Sequence, residues 1–367
     1  MKLYTEKKQE DTLSDIGEKI EKGERLTRQD GLRLLECDDL VSLGRLADKV
    51  KKEKSGDYVF FNVNHHINLT NVCLSRCKFC AFSCDLDDPK AYTLSRDDVL
   101  RSAEAASKRG ITEFHIVSAL HPTLPFDYYV DIIRALKREF PDIHIQAFTA
   151  VEIQHFSNIT GLSVKEVLSI LKDSGLGSLP GGGAEVFSKR IRDMLCPKKA
   201  STDEWLNVMR TAHSLGLKSN ATILFGHIET KEETIEHLLK LRALQDETGG
   251  FQSFIPLAFH PKNTFLEDLR KPTAFESLRM IAVSRLVLDN FLHIKSFWIM
   301  LGLDVSQISL HFGADDLDGT IGEEKITHAA GAETDVGIAK ERLIGLIKEA
   351  GRTPVERDTL YNILRIY

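Results

Sequence analysis

The sequence predicts an α/β fold, a TIM-type (β/α)8 barrel with a helical extension before it and a further segment after it. The main observation is that strand-like and helix-like segments alternate from residue 58 onward, roughly seven or eight times. Such alternation is typical of βαβ units around a parallel sheet. No GxGxxG or Walker sequence indicates an open, doubly wound nucleotide-binding sheet instead.

The elements can be taken in order along the chain. IGEKIEKGERLTRQDGLRLLE and LVSLGRLADKVKKEKSG have apolar residues at roughly helical spacing, so we predict helices before residue 58. Strands are predicted in VFFNVNHHINLT, TEFHIVSAL, IHIQAFTAVEI, LGSLPGG, LKSNATILFG, FQSFIPLAF and FLHIKSFWIM. Helices between them are predicted in SRDDVLRSAEAASKRG, DYYVDIIRALKREF, SVKEVLSILKDSG, STDEWLNVMRTAHSLG, KEETIEHLLKLRALQDETG and FESLRMIAVSRLVLDNF. A loop, HFGADDLDGTIGEEK, and a helix, AKERLIGLIKEAG, come last. We therefore predict a helical extension over residues 1–57, a barrel domain over 58–310 and a C-terminal segment over 311–367 packed on the barrel.

Composition limits the class of protein. Hydrophobic residues make up 42% and charged residues 28% of the chain, as in soluble globular proteins. The net charge of −6 argues against general nucleic-acid binding. No secretory signal and no membrane-spanning apolar run is evident, and the six cysteines are scattered rather than arranged as a disulfide framework. We expect a cytoplasmic protein that binds neither nucleic acid nor membrane.

A short cysteine motif carries the strongest functional signal. Cys73, Cys77 and Cys80 stand in NVCLSRCKFCAF with the spacing C-x3-C-x2-C, directly after the first predicted strand. A cubane iron–sulfur cluster is usually held by four thiolates. Three thiolates leave one iron open to a small molecule, as an open catalytic metal site does. The motif therefore predicts a [4Fe-4S] cluster at the end of the barrel where active sites lie.

Three other metal hypotheses are weaker. A structural zinc site usually needs a second pair of ligands, and none lies nearby, since alternation along the strand points His65 and His66 to opposite faces. Cys84 could be a fourth ligand, although it would close the open iron. The ADDLDGTIGEE segment lacks the first spaced pair of an EF-hand loop, so we predict no calcium site there.

Beyond the motif, much of the chain resembles a known enzyme family. The cysteine loop, AFTAVEI, SLPGGGAE, KSNATILFGHIET, ALQDETGGFQSFIPLAFHP and FGADDLDGT are similar to segments of the aminofutalosine synthases. These are radical S-adenosylmethionine (SAM) enzymes of the futalosine route to menaquinone, related to the dehypoxanthine futalosine cyclases and to the deazaflavin-forming FO synthase subunits. The resemblance covers about residues 58–365.

The resemblance implies a reaction and its partners. SAM, 3-[(1-carboxyvinyl)oxy]benzoate and water would give 6-amino-6-deoxyfutalosine, methionine and bicarbonate. The 5′-deoxyadenosyl radical would add to the enol-ether double bond, with rearrangement and decarboxylation, so SAM would be a co-substrate. A reductant such as flavodoxin or ferredoxin would supply the electron. The cyclase of the same pathway, or a non-catalytic iron–sulfur or zinc protein, remains the alternative.

Further site residues are predicted at the strand ends. Phe79 suits a segment close to the adenine, and Ser118 stands where relatives commonly have a Gly-Gly pair near the methionine end of SAM. Thr149 and Glu152 have the position for a ribose contact, and Glu185 for the ribose or the amino group, although it could instead favour a helix dipole. Gly181, Gly182 and Gly183 could bind an anion or form a plain turn. His227 and His260 are the candidate catalytic residues for binding a carboxylate or moving a proton, with a structural role as the alternative.

Overall fold

The computed structural model describes residues 13–367 of the chain, so residues 1–12 of the predicted extension lie outside the described part. Three helices come first: α1 (Ser14–Glu21), α2 (Arg28–Glu36) and α3 (Leu40–Ser55). Helix α2 begins with a capping box between Thr27 and Asp30, in which each side chain accepts a backbone N–H of the other. The prediction of helices before residue 58 is confirmed for the described residues.

The predicted first strand is two strands in the structure. They are β1 (Tyr58–Asn62) and β2 (Asn64–Ile67), and they belong to different sheets. The partners change at the break, where the Asn62 carbonyl accepts from Thr320 N–H and the Val63 carbonyl accepts from Thr112 N–H. The continuous run of strand-forming residues predicted one element, whereas tertiary pairing divides it.

The barrel wall is a seven-stranded parallel sheet with its strands in chain order. After β2 come β3 (Glu113–Ile116), β4 (His144–Ala147), β5 (Ser178–Leu179), β6 (Lys218–Phe225), β7 (Phe251–Ala258) and β8 (His293–Ile294). Each strand pairs in parallel with the next along the chain. The predicted α/β class with a parallel barrel-type sheet is therefore confirmed, and in the described residues this sheet has seven strands rather than eight.

Helices cover the outside of this wall. They are α4 (Arg96–Ser107), α5 (Phe126–Glu139), α6 (Ala150–Thr160), α7 (Val164–Ser174), α8 (Lys189–Leu195), α9 (Thr202–Ser214), α10 (Lys231–Thr248) and α11 (Ala274–Val287). Six of these helices begin with a capping box in which Ser or Thr is followed three residues later by Asp or Glu. This local chemistry fixes where the helices begin and so where the loops that follow the strands end. None of the helices within residues 13–367 is long and apolar enough to cross a bilayer.

One segment lies between the two edges of the parallel sheet. After β8 the chain forms the short helices α12 (Trp298–Leu301) and α13 (Leu303–Ser309), and then β9 (Asp316–Gly319). On the β8 side, the Ser296 N–H donates to the Asp316 carbonyl at 2.8 Å. On the β2 side, the His66 N–H donates to the Ile321 carbonyl at 2.9 Å. The segment therefore completes the barrel, and we call it the closing segment (residues 315–321).

The last residues form α14 (Ile326–Ala329), α15 (Lys340–Glu349), β10 (Thr353–Arg357) and β11 (Ile363–Ile366). A second sheet has the order β11-β10-β1-β9, so its strands come from both ends of the described chain. The division of the chain at residues 57 and 310 stays a prediction. Helix α15 confirms the predicted C-terminal helix. The strand predicted in FLHIKSFWIM is shorter than expected, because the chain turns into α12 at Trp298.

Candidate active site

The three cysteines of the motif lie on the loop that follows β2, at the carboxyl end of the barrel strands. Two backbone hydrogen bonds tie this loop to its neighbours. The Leu74 N–H donates to the Leu120 carbonyl at 2.9 Å, and the Lys78 N–H donates to the Leu195 carbonyl at 2.8 Å. The cysteine loop is therefore held between the loop after β3 and the end of α8, at the edge where barrel enzymes place their chemistry.

The thiols of this loop fit an iron–sulfur cluster better than a single metal ion. Cys73, Cys77 and Cys80 are free thiols. A hydrogen bond with Cys196 and the charge of Lys199 lower the pKa of Cys77 below the ordinary value of a cysteine, against the effect of burial, and the thiolate is the ligand form. Within residues 13–367, no three His, Cys, Asp or Glu side chains converge closely enough for one ion. A zinc ion needs all its ligands within about 2.3 Å of one atom, whereas a cubane spreads its thiolates over different irons.

The contacts of Cys84 do not favour a role as a fourth cluster ligand. Its thiol donates to the Asn71 carbonyl at 3.7 Å, and its carbonyl accepts the Cys73 N–H at 3.1 Å. Burial raises its pKa above the ordinary value of a cysteine, which keeps the thiol protonated. Its contacts therefore support the fold of the cysteine loop rather than a fourth thiolate.

Ser118, Thr149 and Glu152 come together at the start of α6. One carboxylate oxygen of Glu152 accepts from the Ser118 N–H at 2.8 Å, and the other accepts from the N–H and the hydroxyl of Thr149 at 2.7 and 2.8 Å. Burial raises the pKa of Glu152 to about 7, although these hydrogen bonds act in the opposite direction. The Ser118 hydroxyl is buried and finds no hydrogen-bond partner in the described chain, so it is free to contact a ligand.

Glu185 and Phe79 both contact Lys199, a residue that the sequence did not indicate as part of a site. The ammonium group of Lys199 forms an ion pair with the Glu185 carboxylate and lies 5.4 Å from the centre of the Phe79 ring. Burial would lower the pKa of Lys199, but the negative charges of Glu185 and Cys77 raise it above the ordinary value. A lysine in the run KK usually indicates a solvated loop, and only the folded structure brings Lys199 to the cysteine loop.

The three glycines after β5 have different surroundings. A Cβ at Gly181 would lie 2.7 Å from the carbonyl atoms of Asn220, so close packing on β6 explains this glycine. Gly183 has a φ of +84°, which favours glycine. A Cβ at Gly182 would meet only the Thr149 methyl, at 3.0 Å. Packing on β6 thus accounts for Gly181 and the left-handed backbone for Gly183, while Gly182 borders the group around Thr149.

The two candidate catalytic histidines lie on the loops after β6 and β7. The Nδ1 atom of His227 is engaged by its own loop, 2.6 Å from the Ile228 nitrogen and 3.0 Å from a Glu229 oxygen. Its Nε2 is buried without a hydrogen-bond partner among residues 13–367, so this ring edge is available to a ligand. His260 Nε2 lies 2.8 Å from the Met300 carbonyl, and burial lowers its pKa. The structural alternative is therefore stronger for His260 than for His227.

Sequence reasoning missed a polar group on the inner face of β2 and β3. His65 contacts Ser102 of α4, at 2.9 Å, which places it on the outside. His66 consequently faces the lumen. It stacks on His115 with ring centres 4.4 Å apart, and His115 Nδ1 lies 3.4 Å from a Glu113 carboxylate oxygen. Polar residues at alternate positions of the predicted strands, in NHHI and EFHI, were the signal that could have found this group.

The lumen group contains a buried polar atom with no partner. His66 Nε2 is enclosed without a hydrogen bond in the described part of the chain, and burial lowers the pKa of this histidine to about 3. Asp318, which pairs with Lys295 at 2.9 Å, acts electrostatically on His66. A neutral imidazole with an unsatisfied nitrogen is suited to a hydrogen bond with a polar ligand.

Comparisons with known proteins agree with this architecture. Residues 67–241 match the family model of the Radical SAM superfamily, and residues 248–367 match that of the CofH/MqnC C-terminal region. The chain is 46% identical to the aminodeoxyfutalosine synthase of Thermus thermophilus, with 97% of this chain and 96% of the relative covered. The identity to the aminodeoxyfutalosine synthase of Streptomyces coelicolor is 44%, and the match covers 96% of this chain and 94% of the relative. The chain is also 42% identical to a 5-amino-6-(D-ribitylamino)uracil–L-tyrosine 4-hydroxyphenyl transferase of Archaeoglobus fulgidus. That match covers 90% of this chain and 97% of the relative.

Solved structures support the fold. The crystal structure of methylornithine synthase superposes with a TM-score of 0.75 at 20% identity, covering 92% of this chain and 97% of the other. The FeFe-hydrogenase maturase HydG from Carboxydothermus hydrogenoformans superposes with a TM-score of 0.74 at 17% identity, covering 95% of this chain and 80% of the other. Sequence identity over nearly the full length, with the cysteine loop at the end of the barrel, shows that the chain belongs to the aminodeoxyfutalosine synthase family of radical SAM enzymes.

Proposed function

We propose that this enzyme joins the adenosyl part of SAM to 3-[(1-carboxyvinyl)oxy]benzoate and forms 6-amino-6-deoxyfutalosine, with rearrangement and decarboxylation. The observation that carries the proposal is a three-thiol loop at the carboxyl end of a barrel with unsatisfied polar atoms, in a chain 46% identical to an aminodeoxyfutalosine synthase. A set of three thiols leaves room for SAM on a cluster. We place the reaction in the cytoplasm, where a thiolate-held cluster is kept reduced.

The proposed roles follow from the contacts of the chain. Cys73, Cys77 and Cys80 would hold a [4Fe-4S] cluster, which when bound supplies the electron that cleaves the sulfonium of SAM. Phe79 and the neighbouring protein groups would orient the co-substrate. We propose that SAM contacts the residues predicted for it near the cysteine loop: Ser118, Thr149, Glu152, Gly182, Gly183 and Glu185.

The lumen would bind the second substrate. It carries two carboxylates, which need donors in a site that excludes water. We propose that His66 and His227 donate hydrogen bonds from Nε2, because each has that atom buried without a partner among residues 13–367. His260 would hold the loop after β7 through the Met300 carbonyl, or move a proton as the sequence suggested. A flavodoxin or ferredoxin would supply the electron.

The proposal is tested by anaerobic incubation of reconstituted enzyme with dithionite, SAM and 3-[(1-carboxyvinyl)oxy]benzoate, followed by mass spectrometry. We expect a product that contains both the adenosyl and the benzoate parts. Parallel incubations contain dehypoxanthine futalosine, or tyrosine with 5-amino-6-(D-ribitylamino)uracil, because related enzymes act on other substrates. Turnover of either of these, with none of the benzoate, would overturn the proposal. A protein that binds iron and sulfide but never cleaves SAM would favour the non-catalytic alternative.

A further inference from the structure

We propose that the ion pair of Lys199 and Glu185 sets the reduction potential of the cluster held by the cysteine loop. Lys199 acts as a positioning residue whose fixed positive charge favours the reduced cluster, and Glu185 opposes it. The inference rests on the proposed cluster at Cys73, Cys77 and Cys80, and it concerns how readily that cluster takes up its electron.

The first support is the location of the pair. The Lys78 N–H of the cysteine loop donates to the Leu195 carbonyl at 2.8 Å, and Lys199 follows Leu195 closely along the chain. The Lys199 ammonium also lies over the ring of Phe79, which immediately precedes Cys80. The pair therefore stands against the cysteine loop.

The second support is burial. The side chains of Lys199 and Glu185 are only 15% and 11% exposed, so water and salt screen their charges weakly. The neighbouring Lys198 is exposed. The loop after α8 thus places one of two consecutive lysines against the cysteine loop and leaves the other in solvent, which offers a matched control within the chain.

The third support is that the backbone places Glu185 at an unusual conformation. Glu185 has a φ of 51°, in the left-handed region that non-glycine residues rarely adopt. Its carbonyl accepts the Leu224 N–H at 3.1 Å, which anchors this turn on β6. Residues held in such conformations cluster at functional sites. The backbone that carries this carboxylate is therefore anchored, and the carboxylate pairs with Lys199.

The physical argument concerns the charge gained on reduction. A one-electron donor, such as dithionite or a reduced flavodoxin-type protein, transfers an electron to the cluster and adds one negative charge to a thiolate-held site that is already negative. A nearby positive charge stabilises this reduced form and a nearby negative charge destabilises it. Net charge and hydrogen bonding are established determinants of cluster potentials. Removing the charge of Lys199 should therefore lower the reduction potential, and removing the charge of Glu185 should raise it.

The test is a potentiometric titration of reconstituted enzyme without SAM, followed by the electron paramagnetic resonance signal of the reduced cluster. Lys199→Met should make reduction roughly tenfold less favourable, equivalent to about 59 mV toward more negative potential for a one-electron couple. Glu185→Gln should shift the potential in the positive direction. The double variant should lie between the two, and Lys199→Arg should remain close to wild type because it keeps the charge. Lys198→Met is the solvent-exposed control and should leave the potential unchanged.

The outcomes separate this inference from the proposed function. Iron and sulfide content measured on each variant shows whether a cluster is present before any potential is compared. If the wild-type protein binds no cluster, the proposed function fails. If clusters assemble fully but Lys199→Met and Glu185→Gln shift the potential in the same direction, or not at all, the inference is overturned and the cluster assignment stands. If Lys199→Met does not fold, Lys199→Arg and Glu185→Gln still carry the test.

Discussion

The closing segment and the cysteine-loop end of the barrel use buried charges in different ways. In the closing segment each of three aspartates has a basic partner within the protein: Asp315 with Arg285 at 2.7 Å, Asp316 with Arg357 at 2.7 Å and Asp318 with Lys295 at 2.9 Å. At the cysteine-loop end, one buried ion pair, Lys199 with Glu185, stands beside the loop that carries Cys73, Cys77 and Cys80. The Ser118 hydroxyl nearby also lacks a partner among the described residues.

This difference separates what holds the barrel together from what binds ligands. Charges that satisfy each other fix the position of β9 between β8 and β2, since breaking one such buried pair is costly. Polar groups that remain unsatisfied at the loop end indicate that something outside the chain completes them. The comparison predicts that substitutions in the closing segment change stability, whereas substitutions at the loop end change binding and redox behaviour.

The largest effect on the loop end is expected from Cys77→Ala. The variant should lose the cluster and all turnover, because two thiolates do not hold a cubane, while the barrel keeps its fold. Iron and sulfide analysis together with circular dichroism measures both. Cys84→Ala is the matched control and should keep its cluster, since the Cys84 thiol donates to a backbone carbonyl. A Cys77→Ala protein with full iron content and turnover would contradict the ligand assignment.

The largest effect on stability is expected from Asp315→Asn. This change leaves the fully buried Arg285 guanidinium without its ionic partner, which should cost about 3–5 kcal/mol in the free energy of unfolding. Urea unfolding of the cluster-free protein measures it. Glu247→Gln, which breaks a half-exposed pair with Arg210, should cost no more than about 1 kcal/mol. Equal costs for the two variants would show that the closing segment does not depend on its buried pair.

The same aspartate predicts a pH dependence. Burial would raise the pKa of Asp315, but the charges of Arg285 and His293 hold it below the ordinary value of 3.8. A carboxyl group with a lowered folded-state pKa stabilises the protein above its unfolded-state pKa, and that contribution is lost as the pH falls through the folded-state pKa. The stability difference between wild type and Asp315→Asn should therefore shrink as the pH falls below about 4. A difference that already shrinks near pH 6 would indicate another titrating group.

A smaller effect distinguishes two adjacent glycines at the loop end. Gly181→Ala should cost about 1–3 kcal/mol, because the new methyl group would overlap the backbone of Asn220 and Ala221 on β6. Gly182→Ala should cost less, because it meets only the methyl group of the Thr149 side chain. Thermal unfolding of the two variants measures the contrast. If Gly182→Ala is the more destabilising of the two, the packing account of Gly181 is wrong.

The features that sequence predicted well are those fixed by neighbouring residues. The segments SRDDVLRSAEAASKRG and SVKEVLSILKDSG were predicted as helices, and they form α4 and α7, with Ser95 and Ser163 as N-caps and Gly175 as a C-cap. The cysteine loop is also a local motif, so its place after the first barrel strand could be predicted from the alternation of elements alone.

The features that sequence missed depend on residues far apart along the chain. The ADDLDGT segment looks like a loop because it is rich in Asp and Gly, yet it becomes β9 since Arg285, Lys295 and Arg357 neutralise its aspartates. Arg285 shows the same dependence, because this helix residue is completely buried against Asp315, which comes much later in the chain. Lys199 was missed for the same reason, because only tertiary packing brings it to Glu185.

The most direct test of the account is the fate of the adenosyl group in a single anaerobic turnover. SAM labelled in its adenosyl carbons is mixed with reduced enzyme and 3-[(1-carboxyvinyl)oxy]benzoate, and the label is followed by mass spectrometry. The account predicts that the label enters a benzoate-containing product in step with the methionine released. Recovery of the label only as free 5′-deoxyadenosine, with the benzoate unchanged, would contradict the use of SAM as a co-substrate for this reaction.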